Sequence, residues 1–285
     1  MTRADLPEPT TDAGRAGLNA LLAGPGAALL GLDFDGTLAP IVPDPDAARG
    51  HPDVPGVLTR LAAAGVRVAV VTGRPAATAV EYAAIADVPG LVVLGHYGLE
   101  RWESGTLTAP EDLSAVAEVR RRLPEVLAAA GAPEGTYVED KGAAVAVHTR
   151  RTTDPSAAFA LLRDPLTALA DVVGLVVEPG RFVHELRPAG GDKGDALRTL
   201  VAEAVAGDAP PSVVVFVGDD LGDLAAFDAV DRLRADGTPG LLVCSGSTEV
   251  TTLADRADLV VDGPDGVVAL LGALADALDV PPPPG

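Results

Sequence analysis

The feature that most constrains the fold of this chain is an alternation of short, almost wholly apolar runs with helix-length segments. Residues 27–32, 66–71 and 91–94 read as strands, and 212–217, 241–244 and 258–261 take up the rhythm again much later. Runs apolar on both faces suit buried strands, and strands spaced by helices suit a parallel sheet. Residues 193–206 and 266–278 read as helices of this part. In between, the rhythm changes. Residues 113–130 read as a helix with Pro124 as a point to bend, then 136–140 and 143–148 as a hairpin turned at Lys141-Gly142. A second helix at 155–170 precedes a second hairpin, 172–177 with 181–187, turned at Pro179-Gly180. An αββαββ order favours an antiparallel sheet with helices on one face. Residues 106–187 are therefore predicted to form a separate α+β module inserted into an α/β core of residues 21–105 and 188–278. A polar segment within residues 1–20 and the 281–285 tail are predicted to be flexible.

The first strand runs into Asp33-Phe34-Asp35-Gly36-Thr37-Leu38. Packing explains poorly two carboxylates, two residues apart, at a strand end. That edge of a parallel sheet is where α/β folds place ligands. The first acid suits a nucleophile and the second a proton carrier, while the Gly36 turn can offer backbone N–H groups to a phosphate. Other strand ends and helix starts add Thr72, Lys193, and Asp219 with Asp220 and Asp223. All parallel strands end along one edge, so these groups can converge across large sequence separations. Converging carboxylates need a cation, and an all-oxygen set suits Mg²⁺ rather than zinc. Asp223 has a second reading, as a cap for the helix that begins near Asp220.

Charge and residue usage narrow the class. Twenty-one basic against 41 acidic residues leave a formal charge of −20, which disfavours nucleic acid and anionic membranes as partners. An anionic substrate then needs a local basic pocket inside a repelling field. Only Lys141 and Lys193 are lysines among the 21 basic residues. A compact ammonium approaches a buried carboxylate or phosphate as a point charge, which a guanidinium fork does not, so both are functional candidates. The single Cys244 permits no intramolecular disulfide. With no signal-peptide pattern in residues 1–20 and no 18-residue apolar span, the expectation is a soluble cytoplasmic protein.

In order and spacing these groups resemble the four motifs of the haloacid dehalogenase superfamily of phosphotransferases. Asp33-Phe34-Asp35-Gly36-Thr37 stands as the first motif, Thr72 as the second, Lys193 as the third and Gly218-Asp219-Asp220 as the fourth. The resemblance implies a Rossmann-like core with an inserted C2-type cap. It makes Asp33 the nucleophile that becomes an aspartyl-phosphate, and Asp35 the group that protonates the leaving hydroxyl and then activates water. Thr72 and Lys193 would hold phosphate oxygens. Mg²⁺ would be held by the Asp33 carboxylate, the Asp35 backbone carbonyl and Asp219, with Asp220 and Asp223 orienting waters around it. Gly36, Thr37, Gly73 and Arg74, in the loops of the first two motifs, count as substrate-facing positions. About 35 residues separate Asp35 from Thr72, too few for a cap, so the insert lies between Thr72 and Lys193.

Within the superfamily the chain resembles trehalose-6-phosphate phosphatases. The resemblance rests on Asp33 to Pro43, on Val138-Glu139-Asp140-Lys141-Gly142 with 145–150, and on Glu185-Leu186-Arg187-Pro188 leading to Asp192-Lys193-Gly194. It implies hydrolysis of a small sugar phosphate, trehalose 6-phosphate, and functional pairing with a trehalose-6-phosphate synthase. Glu139, Lys141, His148 and Glu185 would contact sugar hydroxyls, assisted by Arg187. Each also has a purely structural reading. Glu139 and Lys141 can be a solvated pair at a hairpin tip, His148 a sheet-face histidine, and Glu185 with Arg187 a cross-strand ion pair. Two departures stand out. Gly95-His96-Tyr97-Gly98 shifts the family's histidine by one place, so either His96 or Tyr97 meets the substrate. Gly222-Asp223-Leu224 keeps only the middle acid of the family's Thr-Asp-Glu. A phosphatase for sucrose 6-phosphate or mannosyl-3-phosphoglycerate, a phosphomutase, and a non-catalytic sugar-phosphate-binding regulator are the alternatives.

Overall fold

The computed structural model describes residues 6–278, apart from Pro43, Arg181 and 247–250. The 281–285 tail, expected to be flexible, lies outside the described residues. The chain divides into two compact units, the first ending at Thr108 and resuming at Gly191, the second Ala109–Gly190. The first unit opens with α1 (Asp12–Ala23), β1 (Ala28–Leu32), α2 (Val54–Ala63), β2 (Arg67–Val71), α3 (Ala76–Ala83) and β3 (Val92–Gly95). Two short strands follow, β4 (Glu100–Glu103) and β5 (Thr106–Thr108). The second unit consists of α4 (Ser114–Ala129), β6 (Tyr137–Asp140), β7 (Val145–His148), α5 (Pro155–Val173), β8 (Leu175–Gly180) and β9 (Val183–Pro188). The first unit then resumes with α6 (Lys193–Ala206), β10 (Val213–Gly218), α7 (Leu224–Ala235), β11 (Gly240–Gly246), α8 (Thr251–Ala254), β12 (Leu259–Asp262) and α9 (Gly263–Leu278).

The first unit's sheet runs β12-β11-β10-β1-β2-β3-β4-β5. Its pairs from β12 to β3 are parallel, and the β3–β4 and β4–β5 pairs are antiparallel. The period of two along each strand explains why the central runs are apolar throughout. Leu30, Leu32, Val213, Val215 and Val217 join one buried layer with Leu58 and Leu61 of α2 and Leu271 and Leu274 of α9. Leu29, Val214 and Phe216 join the opposite layer with Leu197 and Leu200 of α6 and Phe227 and Val230 of α7. Each such side chain contributes about 1.5–3 kcal/mol by leaving water. Gly31 leaves room for a ring: a Cβ there would lie 2.8 Å from the Phe216 side chain.

Several sequence-based boundaries move. Residues 106–108, expected in the inserted module, pair with β4 at the edge of the first sheet. Their short mixed polar run carries too little periodicity to assign from sequence. Residues 12–20, expected within a flexible segment, belong to helix α1, capped by the Thr11 side chain. Leu21 enters the core with Leu18 and Leu22 packed against it, and small residues let the helix come close: a Cβ on Gly17 would lie 2.0 Å from the Gly240 carbonyl oxygen. Helix α5 continues to Val173 because the left-handed Gly174 (φ 78°) ends it, so β8 starts at Leu175 instead of residue 172. Pro179 and Gly180, expected as a turn, pair with His184 and Val183, and the reversal falls after them, where Phe182 is left-handed.

The second unit is a four-stranded antiparallel sheet in the order β6-β7-β9-β8. Val145, Val147 and Leu186 pack against Val116, Val119 and Leu123 of α4 and Leu162, Leu166 and Leu169 of α5. The alternate positions, Ala146, His148, Glu185 and Arg187, take the opposite face together with Tyr137 and Glu139. Among the described residues, no helix is long and apolar enough to cross a membrane.

Candidate active site

Adjacent parallel pairing of β1 with β10 brings Asp33 beside the end of the strand that carries Asp219, with Leu32 opposite Val217 and the Asp33 N–H donating to the Val217 carbonyl at 2.9 Å. The chain then folds into a tight turn. The N–H groups of Thr37, Leu38 and Ala39 all point to the Phe34 carbonyl, and the Gly36 N–H donates to Ala39 O at 2.7 Å. This corrects the expectation of N–H groups offered to a phosphate: those of Gly36 and Thr37 are spent closing the turn. The Thr37 hydroxyl is the polar group left over, fully buried and without a hydrogen-bond partner. Gly36 is left-handed (φ 76°), and a Cβ on it would lie 2.0 Å from Asp219 Oδ2. The absent side chain is what admits the carboxylate. The Ser245 hydroxyl at the end of β11 donates to the Gly36 carbonyl at 2.6 Å and fixes the turn from the far side.

Lys193 joins the acids. It is the first residue of α6, whose Asp192 and Asp195 form a capping box, and so stands where the helix meets the strand edge. Its buried Nζ lies 2.7 Å from Asp33 Oδ1 and 2.7 Å from Asp223 Oδ1. The other oxygen of Asp223 accepts the N–H groups of Asp219 (2.9 Å) and Asp220 (3.2 Å). Asp223 completes a capping box with Asp220, as its second reading has it, and also pairs with the lysine. Ligand oxygens of Asp33, Asp219 and Asp223 lie within 4.8 Å of one another, all three buried. The Asp220 carboxylate, expected to orient waters around the metal, accepts the Gly222 N–H at 2.9 Å, and the Asp35 carboxylate, expected to move protons, is held by Arg74.

The electrostatics follow from burial. Desolvation, opposed by Lys193 and reinforced by Asp223 and Asp219, holds the Asp33 carboxyl well above the ordinary range. Burial and the neighbouring Asp220 and Asp223 push Asp219 up to about 7, and burial likewise raises Asp223. Burial pulls on Lys193 in the opposite sense, but Asp223 and Asp33 outweigh it and raise the ammonium well above its ordinary value. Three carboxylates facing one ammonium leave two negative charges when all are ionised. Hard oxygen donors with that residual charge fit a small divalent cation.

The second motif comes alongside from β2. Thr72 is buried, and its hydroxyl accepts the Arg74 N–H at 3.1 Å. The loop leaving β3 is stitched to it: the Tyr97 N–H donates to Thr72 O and the His96 N–H to Arg74 O, each at 3.0 Å. His96 and Tyr97 are consecutive left-handed residues (φ 47° and 59°), strain of the kind that collects at functional loops. His96 is fully buried with Nε2 3.7 Å from Glu100 Oε1, while the other oxygen of Glu100 caps the start of α3 at Ala76 N. The Tyr97 hydroxyl instead lies against Gly73, where a Cβ would approach it to 2.6 Å. Of the two candidates, Tyr97 is the one whose polar end sits on the second-motif loop.

In the second unit the sheet face opposite the helices gathers the other candidates. His148 Nε2 and Glu139 Oε2 are 2.7 Å apart, and the Tyr137 ring lies 5.8 Å from the imidazole. Lys141 Nζ donates to Glu185 Oε2 at 2.6 Å, while Glu185 Oε1 is buried with no partner. Arg187 donates to Glu178 Oε2 at 3.1 Å. Glu185 and Arg187, both on β9, do not pair with each other: Arg187 makes a cross-strand ion pair with Glu178 of β8, and Glu185 pairs with Lys141 just after β6. His184, on the helix side, stacks on Phe159 at 3.9 Å. Sequence reasoning missed Ser245, Glu100, Tyr82 and Glu178. None stands in a local pattern that marks it.

The trehalose-phosphatase family model matches residues 31–262. The chain is 34% identical over 266 residues to a trehalose-phosphate phosphatase of Mycobacterium avium, covering 87% of this chain and 62% of that protein, so it spans less than two thirds of that relative. It is 32% identical over 206 residues to a probable trehalose-phosphate phosphatase of Sinorhizobium fredii, covering 71% of this chain and 73% of the relative. In fold it is similar to the C-terminal domain of a C. albicans trehalose-6-phosphate phosphatase, with TM-score 0.70, 21% identity, and 95% and 99% of the two chains covered. With the buried Asp33–Lys193–Asp223 cluster and the Thr72 loop on one sheet edge, the match over residues 31–262 places this chain in the trehalose-phosphatase family.

Proposed function

We propose that this chain hydrolyses trehalose 6-phosphate to trehalose and phosphate through an aspartyl-phosphate on Asp33, with Mg²⁺ as cofactor. The observation that carries the reading is the buried Asp33, tied at 2.7 Å to Lys193, with a second acid, Asp35, two residues on. One Asp33 oxygen bonds to phosphorus as the ester P–O bond breaks, and Asp35 gives a proton to the departing sugar oxygen. In the second half Asp35 takes a proton from water as its oxygen attacks phosphorus and the aspartyl O–P bond breaks. One water is consumed, and Asp33 and Asp35 are restored. Lys193 stays charged throughout and offsets the negative charge at Asp33. The Thr72 and Thr37 hydroxyls are suited to phosphate oxygens, the latter having no other partner. Asp33, Asp219 and Asp223 would hold the Mg²⁺, which supplies charge neutralisation at the phosphoryl group.

The sugar is assigned to the polar face of the second unit. Glu139, Lys141, His148, Glu185 and Arg187 form it, and Glu185 Oε1 retains acceptor capacity for a hydroxyl. A site that must satisfy buried polar groups rejects a ligand lacking the matching hydroxyl strongly. The reading places the protein in the cytoplasm beside a synthase that supplies the ester. The test is phosphate release with Mg²⁺ from trehalose 6-phosphate, glucose 6-phosphate and sucrose 6-phosphate, for wild type and Asp33→Asn. Preference for the trehalose ester, abolished in the variant, is expected. Preference for another sugar ester would overturn the substrate, and turnover surviving Asp33→Asn would overturn the mechanism.

A further inference from the structure

Arg74 is the one side chain through which the first- and second-motif loops are joined by an ion pair among the described residues. Its Nε donates to Asp35 Oδ2 and its Nη2 to Asp35 Oδ1, both at 2.7 Å, across 39 residues of sequence. The fork-on-fork geometry fixes the direction of a carboxylate as well as its distance. The guanidinium is itself held. Its Cζ lies 5.3 Å from the Phe34 ring centroid and 5.5 Å from that of Tyr82, within range of cation–π attraction. Tyr82 is fixed in turn, with Arg49 at 4.2 Å from its ring and its carbonyl accepting the Gly50 N–H at 2.9 Å. The Arg74 backbone is tied at both ends, to the Thr72 hydroxyl and to the His96 N–H. The arginine side chain is 13% exposed, whereas the Asp35 side chain it grips is 42% exposed. The gripping group is therefore the rigid one and the gripped group the accessible one.

We propose that Arg74 is a positioning residue that acts through Asp35, aiming its carboxylate at the leaving-group oxygen, rather than a direct ligand of the phosphate. The inference rests on the phosphatase reading above and deepens it. Proton transfer in a transition state depends steeply on placement, so a carboxylate released from its clamp loses the leaving group that most needs a proton. A sugar oxygen is such a leaving group, and 4-nitrophenolate, which departs without a proton, is not. A phosphate ligand would instead be missed equally with both esters.

The test measures leaving-group release in the first turnover, with Mg²⁺, from trehalose 6-phosphate and from 4-nitrophenyl phosphate. The proteins compared are wild type, Arg74→Ala, Arg74→Lys, Asp35→Asn and the Asp35→Asn/Arg74→Ala double variant. Arg74→Ala is expected to slow the sugar ester about tenfold or more, and the aryl ester less than about threefold, with little change in KM. Arg74→Lys should not restore the rate, since an ammonium keeps the charge but not the fork. In the Asp35→Asn background the alanine should add less than about a threefold further loss. Equal losses on both esters with a raised KM, full rescue by lysine, or an undiminished loss in the Asp35→Asn background would each overturn the proposal. Tyr82→Leu, which loosens the guanidinium without touching the reacting groups, should give a weaker version of the same selectivity if Arg74→Ala does not fold. An equal loss on both esters there would count against it. Wild type and Asp33→Asn run alongside keep the two questions apart. Turnover surviving Asp33→Asn sinks the aspartyl-phosphate reading, and if another sugar ester is preferred it replaces the trehalose ester in the comparison.

Discussion

Removing one negative charge from the candidate metal cluster should make the cation-free protein more stable at neutral pH, and the structure sets the scale. Asp219 is pushed from an ordinary 3.8 up to about 7 by burial and by Asp220 and Asp223, so the folded protein holds a proton there that the unfolded chain has already lost. Between those two values the native state binds more protons than the unfolded state, and stability must fall as pH rises. At about 1.4 kcal/mol per pKa unit, the loss approaches a ceiling of about 4 kcal/mol once the pH exceeds the folded value. In Asp219→Asn a neutral amide replaces the acid and removes this dependence. The assay is urea denaturation in EDTA at pH 5 and pH 8, following far-UV circular dichroism. The variant should exceed wild type by only about 1–2 kcal/mol at pH 5, where the fall has begun, and by up to about 4 kcal/mol at pH 8. Adding Mg²⁺ should stabilise wild type more at pH 8 than at pH 5, and the variant much less at either, because a cation bound only by the folded state shifts the equilibrium by mass action. A difference between the two proteins that is flat across pH 5 to 8, or a Mg²⁺ effect unchanged by the substitution, would refute the reasoning.

Other expectations are separable. Gly36→Ala should cost about 1–3 kcal/mol of stability and most of the turnover, because its Cβ would meet Asp219 Oδ2 at a positive φ; denaturation and phosphate release read the two effects. Ser245→Ala should destabilise by about 1–3 kcal/mol by leaving the buried Gly36 carbonyl unsatisfied, and should lower kcat with KM unchanged. A rise in KM alone would argue against a role in holding the catalytic turn. The buried His184 has a lowered pKa, chiefly from desolvation, so its contribution is present above the unfolded value near 6.5 and lost as pH falls through the folded value. Melting temperatures at pH 7.5 and 5.5 should therefore converge in His184→Phe relative to wild type, and an unchanged gap would dispose of this account.

What could be read without coordinates follows a physical division. Strands β1, β10 and β11 are buried on both faces, so composition alone announces them, and the acids at their ends stand out as polar residues that no core requires. Helix α1 was hidden because its apolar set, Leu18, Leu21 and Leu22, is confined to the last turns while glycines make the contact nearer its start. The pairing of Arg74 with Asp35, and of Ser245 with Gly36 across 209 residues, depends on side-chain direction at the meeting of separate loops. No local pattern carries that information. Glu185 and Lys141 were each legible as candidates, whereas their pairing follows from how the β6–β7 turn folds beside β9.

The strand order has a consequence for how the protein is made. Strand β1 lies between β2 and β10, yet β10 does not exist until residue 213 has left the ribosome. Until then the central strand keeps one open edge, and apolar side chains such as Leu29 lack Val214, Phe216 and the α7 residues of their layer. The contiguous second unit has its whole core, from Val116 to Leu186, within a single stretch of chain, and can close first. Vectorial synthesis should thus yield an early protease-resistant fragment near residues 109–190 on stalled nascent chains. The Asp33 half, synthesised earliest, should become resistant last, which also postpones the crowding of like charges until the sheet that confines them is complete.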